Sequence, residues 1–225
     1  MSTTVLYSVS EGIATITLNR PHRLNAINPE LLSDFKSALD QANVDGDVYA
    51  IILCGAGRAF CAGDDLKEFD QQVHNPIETR AYIEHIQDIT RGLCLNPKMV
   101  VGAIHGWAVG GGLEWTTNCD FVVMAQSCRF FFPEISLGVF VTGGVTRLLV
   151  EQIGLQNARE MILFGNRYAA SDAEQLGFSW RIVEDEDVMP RARSLAQRIT
   201  ALPSGPVKNL KRALQASTTL SLIHI

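Results

Sequence analysis

The sequence lacks an excess of basic charge, a membrane-length apolar run, paired cysteines and any low-complexity linker. Each absence removes a class of protein. Nineteen Lys and Arg against 24 Asp and Glu leave the 225 residues with a formal charge of -5, which argues against nucleic acid or an anionic membrane as the main partner. No uncharged apolar run reaches the roughly 18 to 20 residues of a membrane span, and the opening Met1-Ser2-Thr3-Thr4 is not a Lys/Arg-led signal. A cytoplasmic protein is expected. The cysteines, Cys54, Cys61, Cys94, Cys119 and Cys128, lie singly without a Cys-x-x-Cys pair, so reduced and buried thiols are expected. Cys61 precedes a helix start, where a thiolate would be favoured, but no His follows it at a recognisable spacing. His22, His74, His85, His105 and His224 have no metal-ligand spacing, so no metal site is expected.

What is present is the balance of a globular domain, with 47% hydrophobic and 19% charged residues. A chain of this size buries roughly 70% of its unfolded surface, enough for a core without disulfides or metals. Val5 to Val9 and Ile13 to Leu18 alternate around Glu11-Gly12, which predicts an antiparallel hairpin. Asn28 caps a predicted helix with Pro29 at its first position and Leu31, Leu32, Phe35, Ala38 and Leu39 along one face, ending near Asn43. Strand and helix then alternate: strands at Ala50 to Cys54, Val100 to Ile104 and Phe121 to Ala125, a helix at Ile77 to Leu95, and another from the triple glycine toward Asn118. Near-continuous apolar strands separated by helices imply a parallel sheet. Beyond Gly143 the patterns are helical, at about 143 to 153, 155 to 164, 171 to 177, 187 to 200 and 206 to 216, with one short strand at Ser179 to Val183. The acidic run Glu184-Asp185-Glu186-Asp187 is expected to be a solvated turn that caps the helix after it, and Phe130, Phe131 and Phe132 to form core and strand edge.

Two glycine-containing segments carry the chemistry: Ala59-Phe60-Cys61-Ala62-Gly63-Asp64-Asp65-Leu66 and Gly106-Trp107-Ala108-Val109-Gly110-Gly111-Gly112-Leu113-Glu114. Each follows a strand-like run and opens a predicted helix. The first N–H groups of a helix have no partner within it, so two such turns facing each other can hold a developing oxyanion. The pattern points to acyl chemistry.

With Asn19-Arg20-Pro21 and Leu24-Asn25-Ala26-Ile27 before them and Phe132-Pro133-Glu134 after them, these segments resemble the crotonase superfamily of enoyl-CoA hydratases and isomerases. The likeness runs from Val5 to about Leu214. It implies an α/β spiral of ββα units over 1–185, with a C-terminal helical region beginning over 186–219, and assembly into homotrimers or hexamers. It also implies an acyl-coenzyme A thioester substrate and no separate cofactor, coenzyme A being part of the substrate. Position by position, the amides of Asp64 and Gly111 would form the oxyanion hole, flanked by Ala62, Gly63, Asp65 and Gly110. Glu114 and Glu134 would hold one water over the enoyl double bond and move its proton. An inward Asp64 carboxylate would repel an enolate, so it is expected to face outward or cap the next turn. Arg23 and Lys67 fall on segments that line the nucleotide in this family. Leu24, Ala26 and Leu66 would contact the pantetheine or adenine, and the acyl group would pass Trp107, Pro133 and Leu137. The loop Gly138-Val139-Phe140-Val141-Thr142-Gly143-Gly144 departs from the Pro-Gly-Ala-Gly-Gly form frequent in hydratases, which leaves acyl preference open.

Having both glutamates favours hydration over double-bond migration, which a single carboxylate can perform. A non-catalytic acyl-CoA binder is the other competitor. Dinucleotide binding fits poorly, because Gly106-x-x-x-Gly110-Gly111-Gly112 is not the Gly-x-Gly-x-x-Gly that a pyrophosphate turn needs. The last six residues, Leu220-Ser221-Leu222-Ile223-His224-Ile225, are what CTG TCT CTT ATA CAC ATC encodes, the end of a transposase adapter used in sequencing libraries. A longer, truncated native chain is therefore expected, with Thr219 near its last genuine residue.

Overall fold

Val5–Ser10 (β1) and Ile13–Leu18 (β2) pair as an antiparallel hairpin, with Val5 opposite Leu18 and Ser10 opposite Ile13. Val5 and, on β2, Ile13, Ala14, Ile16 and Leu18 are buried in the core, while the rest of β1 is half-buried or exposed. Glu11 and Gly12 turn the chain with φ of 55° and 75°, the left-handed pair that matches strand twist in a two-residue hairpin. The computed structural model describes residues 3–67 and 76–217; the expected adapter tail lies outside them.

β2 leads into the helix α1 (Pro29–Val44), whose Asn28 side chain accepts from the Leu31 amide at 3.0 Å. The chain continues through β3 (Ala50–Gly55), α2 (Pro76–Cys94), β4 (Met99–Ile104), β5 (Trp107–Val109), α3 (Gly111–Thr117), β6 (Phe121–Ala125) and β7 (Arg129–Phe131). After a 3₁₀ turn at Glu134–Leu137 come α4 (Val145–Ile153), α5 (Leu155–Phe164), β8 (Tyr168–Ala169), α6 (Ala170–Leu176), β9 (Arg181–Val183), α7 (Val188–Thr200) and α8 (Ser204–Ser217). The large sheet has the order β1-β2-β3-β4-β6-β9 and is parallel from β2 onward. All six β4 residues are buried, as expected for a strand covered on both faces.

Sequence periodicity missed a second sheet, β5-β7-β8. Its strands have two or three residues each, too few for a period to register. Phe130 and Phe132 are buried there. The acidic run is an exposed turn, yet Asp187 makes no side-chain cap on α7; instead Asp185 accepts from the Ser127 amide and hydroxyl, tying the run to the loop before β7. Trp115 on α3 meets Phe35 on α1 edge-on, with ring centroids 4.9 Å apart. α7 packs across β3, β4 and β6. Lys211 of α8 reaches inward, donating to the Leu93 and Lys98 carbonyls at 2.9 and 2.8 Å and pairing with Asp120 at 2.7 Å. Among the described residues no helix is long and apolar enough to cross a membrane.

Candidate active site

The two sheets together place the site. Each repeat runs from a large-sheet strand to a small-sheet position, then through a turn into helical backbone: β4 to β5 to α3, and β6 to β7 to the 3₁₀ turn. After β3 the small-sheet position is Cys61, which bridges Ala108. Cys61 donates to the Trp107 carbonyl and accepts from the Val109 amide, both at 2.9 Å, and the Gly110 amide donates to Phe131 at 3.0 Å. The turns after Cys61, Val109 and Phe131 therefore emerge side by side, carrying Asp64, Gly111 and Glu134.

A polar clamp sets the first turn. The Ile27 amide donates to Gly63 and the Asp65 amide to Ile27, both at 2.8 Å. Asn25, buried and at φ 55°, donates from its side-chain amide to the Ala59 and Phe60 carbonyls at 2.8 and 3.1 Å. Arg20 donates to the Ala26 carbonyl and pairs with Asp65 at 3.2 Å. Gly63 has φ 82°, and a Cβ there would sit 2.9 Å from the Val109 carbonyl oxygen. Such close approach admits glycine only. Among the described residues, neither the Asp64 amide nor the Gly111 amide donates to another residue's backbone carbonyl. α3 is only seven residues long, so the unpaired Gly111 N–H matters more here than a helix dipole.

Asp64, Gly111, Glu114 and Glu134 line one cavity of about 290 Å³, together with apolar Ile83, Ile86, Val139 and Phe140. Glu114 is 3% exposed and Glu134 7%, so water screens neither charge. Burial, then the Glu134 and Asp64 charges, push the Glu114 carboxyl up to about 8, against hydrogen bonds from the Thr142 and Gly143 amides. Burial, with Asp64 adding to it, pushes Glu134 up to about 7, against a backbone hydrogen bond. Glu134 Oε2 has no hydrogen-bond partner among the described residues. Two carboxyls in one cavity with displaced affinities can act as acid and base at neutral pH.

Asp64 corrects the sequence reading. Its carboxylate does not turn away: it lines the cavity and accepts from the Tyr82 hydroxyl of α2. Burial raises its pKa, opposed by the Tyr82 hydrogen bond and by one from its own backbone amide. Ala62, Gly63, Leu66, Gly110, Pro133 and Leu137 line an adjoining cavity of about 270 Å³ that shares Asp64, Glu134 and Val139 with the first. Trp107 lies elsewhere, lining a third cavity with Leu24, Arg58 and Arg129; β5 pairing turns it toward Phe131 and under Arg167. The Asp65 carboxylate is taken by Arg20, Ala26 is buried, and Arg23 and Lys67 are exposed. Sequence reasoning missed Tyr82, Thr142, Arg58 and Arg129. The Cys61 thiol faces the Asn25 carbonyl, and burial pushes it up to about 12, which removes it as a nucleophile.

The chain is similar in sequence and in fold to known proteins. The family model described as enoyl-CoA hydratase/isomerase matches residues 8–225. The chain is 32% identical over 220 residues to 1,2-epoxyphenylacetyl-CoA isomerase of Escherichia coli (strain K12), covering 97% of this chain and 84% of that protein. It is 32% identical over 203 residues to the short-chain-enoyl-CoA hydratase of Clostridium acetobutylicum, covering 90% and 77%. Among solved structures, an enoyl-CoA hydratase from Bacillus anthracis superposes with a TM-score of 0.91 at 29% identity, covering 97% of this chain and 85% of that one.

Proposed function

The chain belongs to the enoyl-CoA hydratase/isomerase family, and from that membership we propose that it adds water to a trans-2-enoyl-CoA, giving the 3-hydroxyacyl-CoA. The observation that carries this reading is that Glu114 and Glu134, both buried, line one cavity with Gly111 and Asp64. The thioester oxygen would accept from the Asp64 and Gly111 amides. Negative charge grows on that oxygen as C3 is attacked, so these donors favour the transition state over the ground state. Near neutral pH the glutamate pair carries one proton. The ionised member takes a proton from the bound water as its oxygen bonds to C3, and the protonated member delivers a proton to C2. One water is consumed, and the glutamates exchange roles until protons re-equilibrate.

The pantetheine arm would enter through the adjoining cavity lined by Ala62, Leu66, Pro133 and Leu137. The nucleotide phosphates would meet Arg58 and Arg129 beside Leu24 and Trp107, since cations and backbone amides complement phosphate. Neither a metal nor a redox cofactor is needed for these steps. Removing the charge from the pair tests the reading. Glu134→Gln should lower kcat by about 100-fold or more with little change in thioester affinity, measured by enoyl absorbance and by equilibrium binding. Near-normal turnover by that variant would remove Glu134 from the mechanism. The family description, which covers isomerases as well as hydratases, supports a second reading, double-bond migration, which conserves substrate mass where hydration adds one water.

A further inference from the structure

Hydration uses two carboxyls, and the cavity has three. The third, Asp64, is held by the Tyr82 hydroxyl, so α2 fixes this acceptor in the cavity wall. The lining otherwise includes apolar Ile83, Ile86, Val139 and Phe140 and the polar Thr79 and Thr142, and no Lys or Arg is among the described residues that line the cavity. Glu134, 7% exposed, lines the same cavity, and its Oε2 has no hydrogen-bond partner among the described residues. Among the described residues no group of three His, Cys, Asp or Glu side chains is arranged to hold a metal ion. The Tyr82 hydroxyl and the backbone amide of Asp64 itself meet part of the Asp64 carboxyl; a carboxylate has about four acceptor sites, and a ligand that displaces water from the cavity must meet the rest.

A plain alkyl chain would strip water from the Asp64 carboxyl and return no hydrogen bond, and an unmade buried hydrogen bond is costly. An ammonium group would have to shed its own hydration against the apolar walls. A hydroxyl group meets both demands, being small, uncharged and a donor. We propose that Asp64 is a specificity-determining residue that selects enoyl-CoA thioesters whose acyl chain carries a hydroxyl group, which donates to the carboxyl held by Tyr82. The inference rests on the reading that this cavity takes the acyl group. Sites that hydrogen-bond a substrate hydroxyl discriminate strongly against the analogue without it, because their polar groups are left unpaired.

The test separates selection from chemistry. Affinities of butyryl-CoA and 4-hydroxybutyryl-CoA, which have no double bond to hydrate, are measured by calorimetry on the wild type, Asp64→Ala and Tyr82→Phe. Turnover of crotonyl-CoA and 4-hydroxycrotonyl-CoA is measured beside them. The wild type should bind the hydroxylated thioester about 10- to 100-fold more tightly. Asp64→Ala should bring the two affinities toward equality, and Tyr82→Phe, which keeps the carboxyl but frees it from its holder, should narrow the preference. Equal affinities in the wild type would overturn the inference, as would an unchanged ratio in Asp64→Ala. Preferred binding without hydration of either enoyl thioester would refute hydration and leave the selection standing. Hydration of both with equal efficiency would do the reverse.

Discussion

Glu114 and Glu134 titrate near neutrality because the fold removes water from them and keeps a third carboxylate beside them. The direction of both shifts sets the pH dependence. Below about 7 both glutamates hold protons and the base is missing; above about 8 both are ionised, the acid is missing, and their charges oppose an enolate. kcat/KM should therefore rise with pH through about 7 and fall above about 8, the two limbs belonging to the pair rather than to either residue. A profile flat across this range would contradict the assignment of the proton chemistry to these two side chains. Glu114 was legible in the sequence because an acid between Leu113 and Trp115 interrupts an apolar stretch, and such an acid is rarely buried without purpose. Tyr82 was not. It falls in register with Ile86, Ile89 and Leu93 on the buried face of α2, so its spacing reads as core packing and its hydroxyl is invisible until Asp64 is found beneath it.

At the scale of elements, the turn after β5 joins the two halves of the site. Gly110 adopts φ 52°, and a Cβ there would lie 2.7 Å from Glu134 Oε1. Gly110→Ala should therefore displace Glu134 or twist the Gly111 amide. Activity should fall by at least about 10-fold, with a stability loss of about 1 to 3 kcal/mol from backbone strain. Steady-state kinetics and urea denaturation would read the two effects separately; wild-type kinetics in a folded variant would show that the turn tolerates a side chain and that its geometry is not critical. The large sheet and α1 were legible because six-residue apolar strands and a capped amphipathic helix carry strong local signals. The small sheet was not, since its strands are defined by partners distant in sequence, as Trp107 is by Arg129. Its absence from the sequence reading also explains why Trp107 was expected along the acyl path: only the pairing of β5 with β7 reveals which way that ring faces.

For the whole molecule, large apolar side chains stay exposed on the C-terminal helices. Leu163 and Phe164 of α5 are 56% and 68% exposed, and Leu210 of α8 is 54% exposed. Exposed apolar surface of this kind suits contact between copies, and we propose a homotrimer or hexamer, the assembly that the family resemblance implies. Sedimentation equilibrium should give three or six chains per particle; a monomer at micromolar concentration would contradict it. The central claim is that two buried glutamates add water to an enoyl thioester, and the fate of crotonyl-CoA tests it most directly. Enoyl absorbance and product mass would be followed with the wild type and with Glu114→Ala/Glu134→Ala. Loss of the enoyl band with gain of one water, abolished in the double variant, is the predicted result. Tight binding of the thioester with no gain of water, or hydration that survives loss of both glutamates, would contradict it.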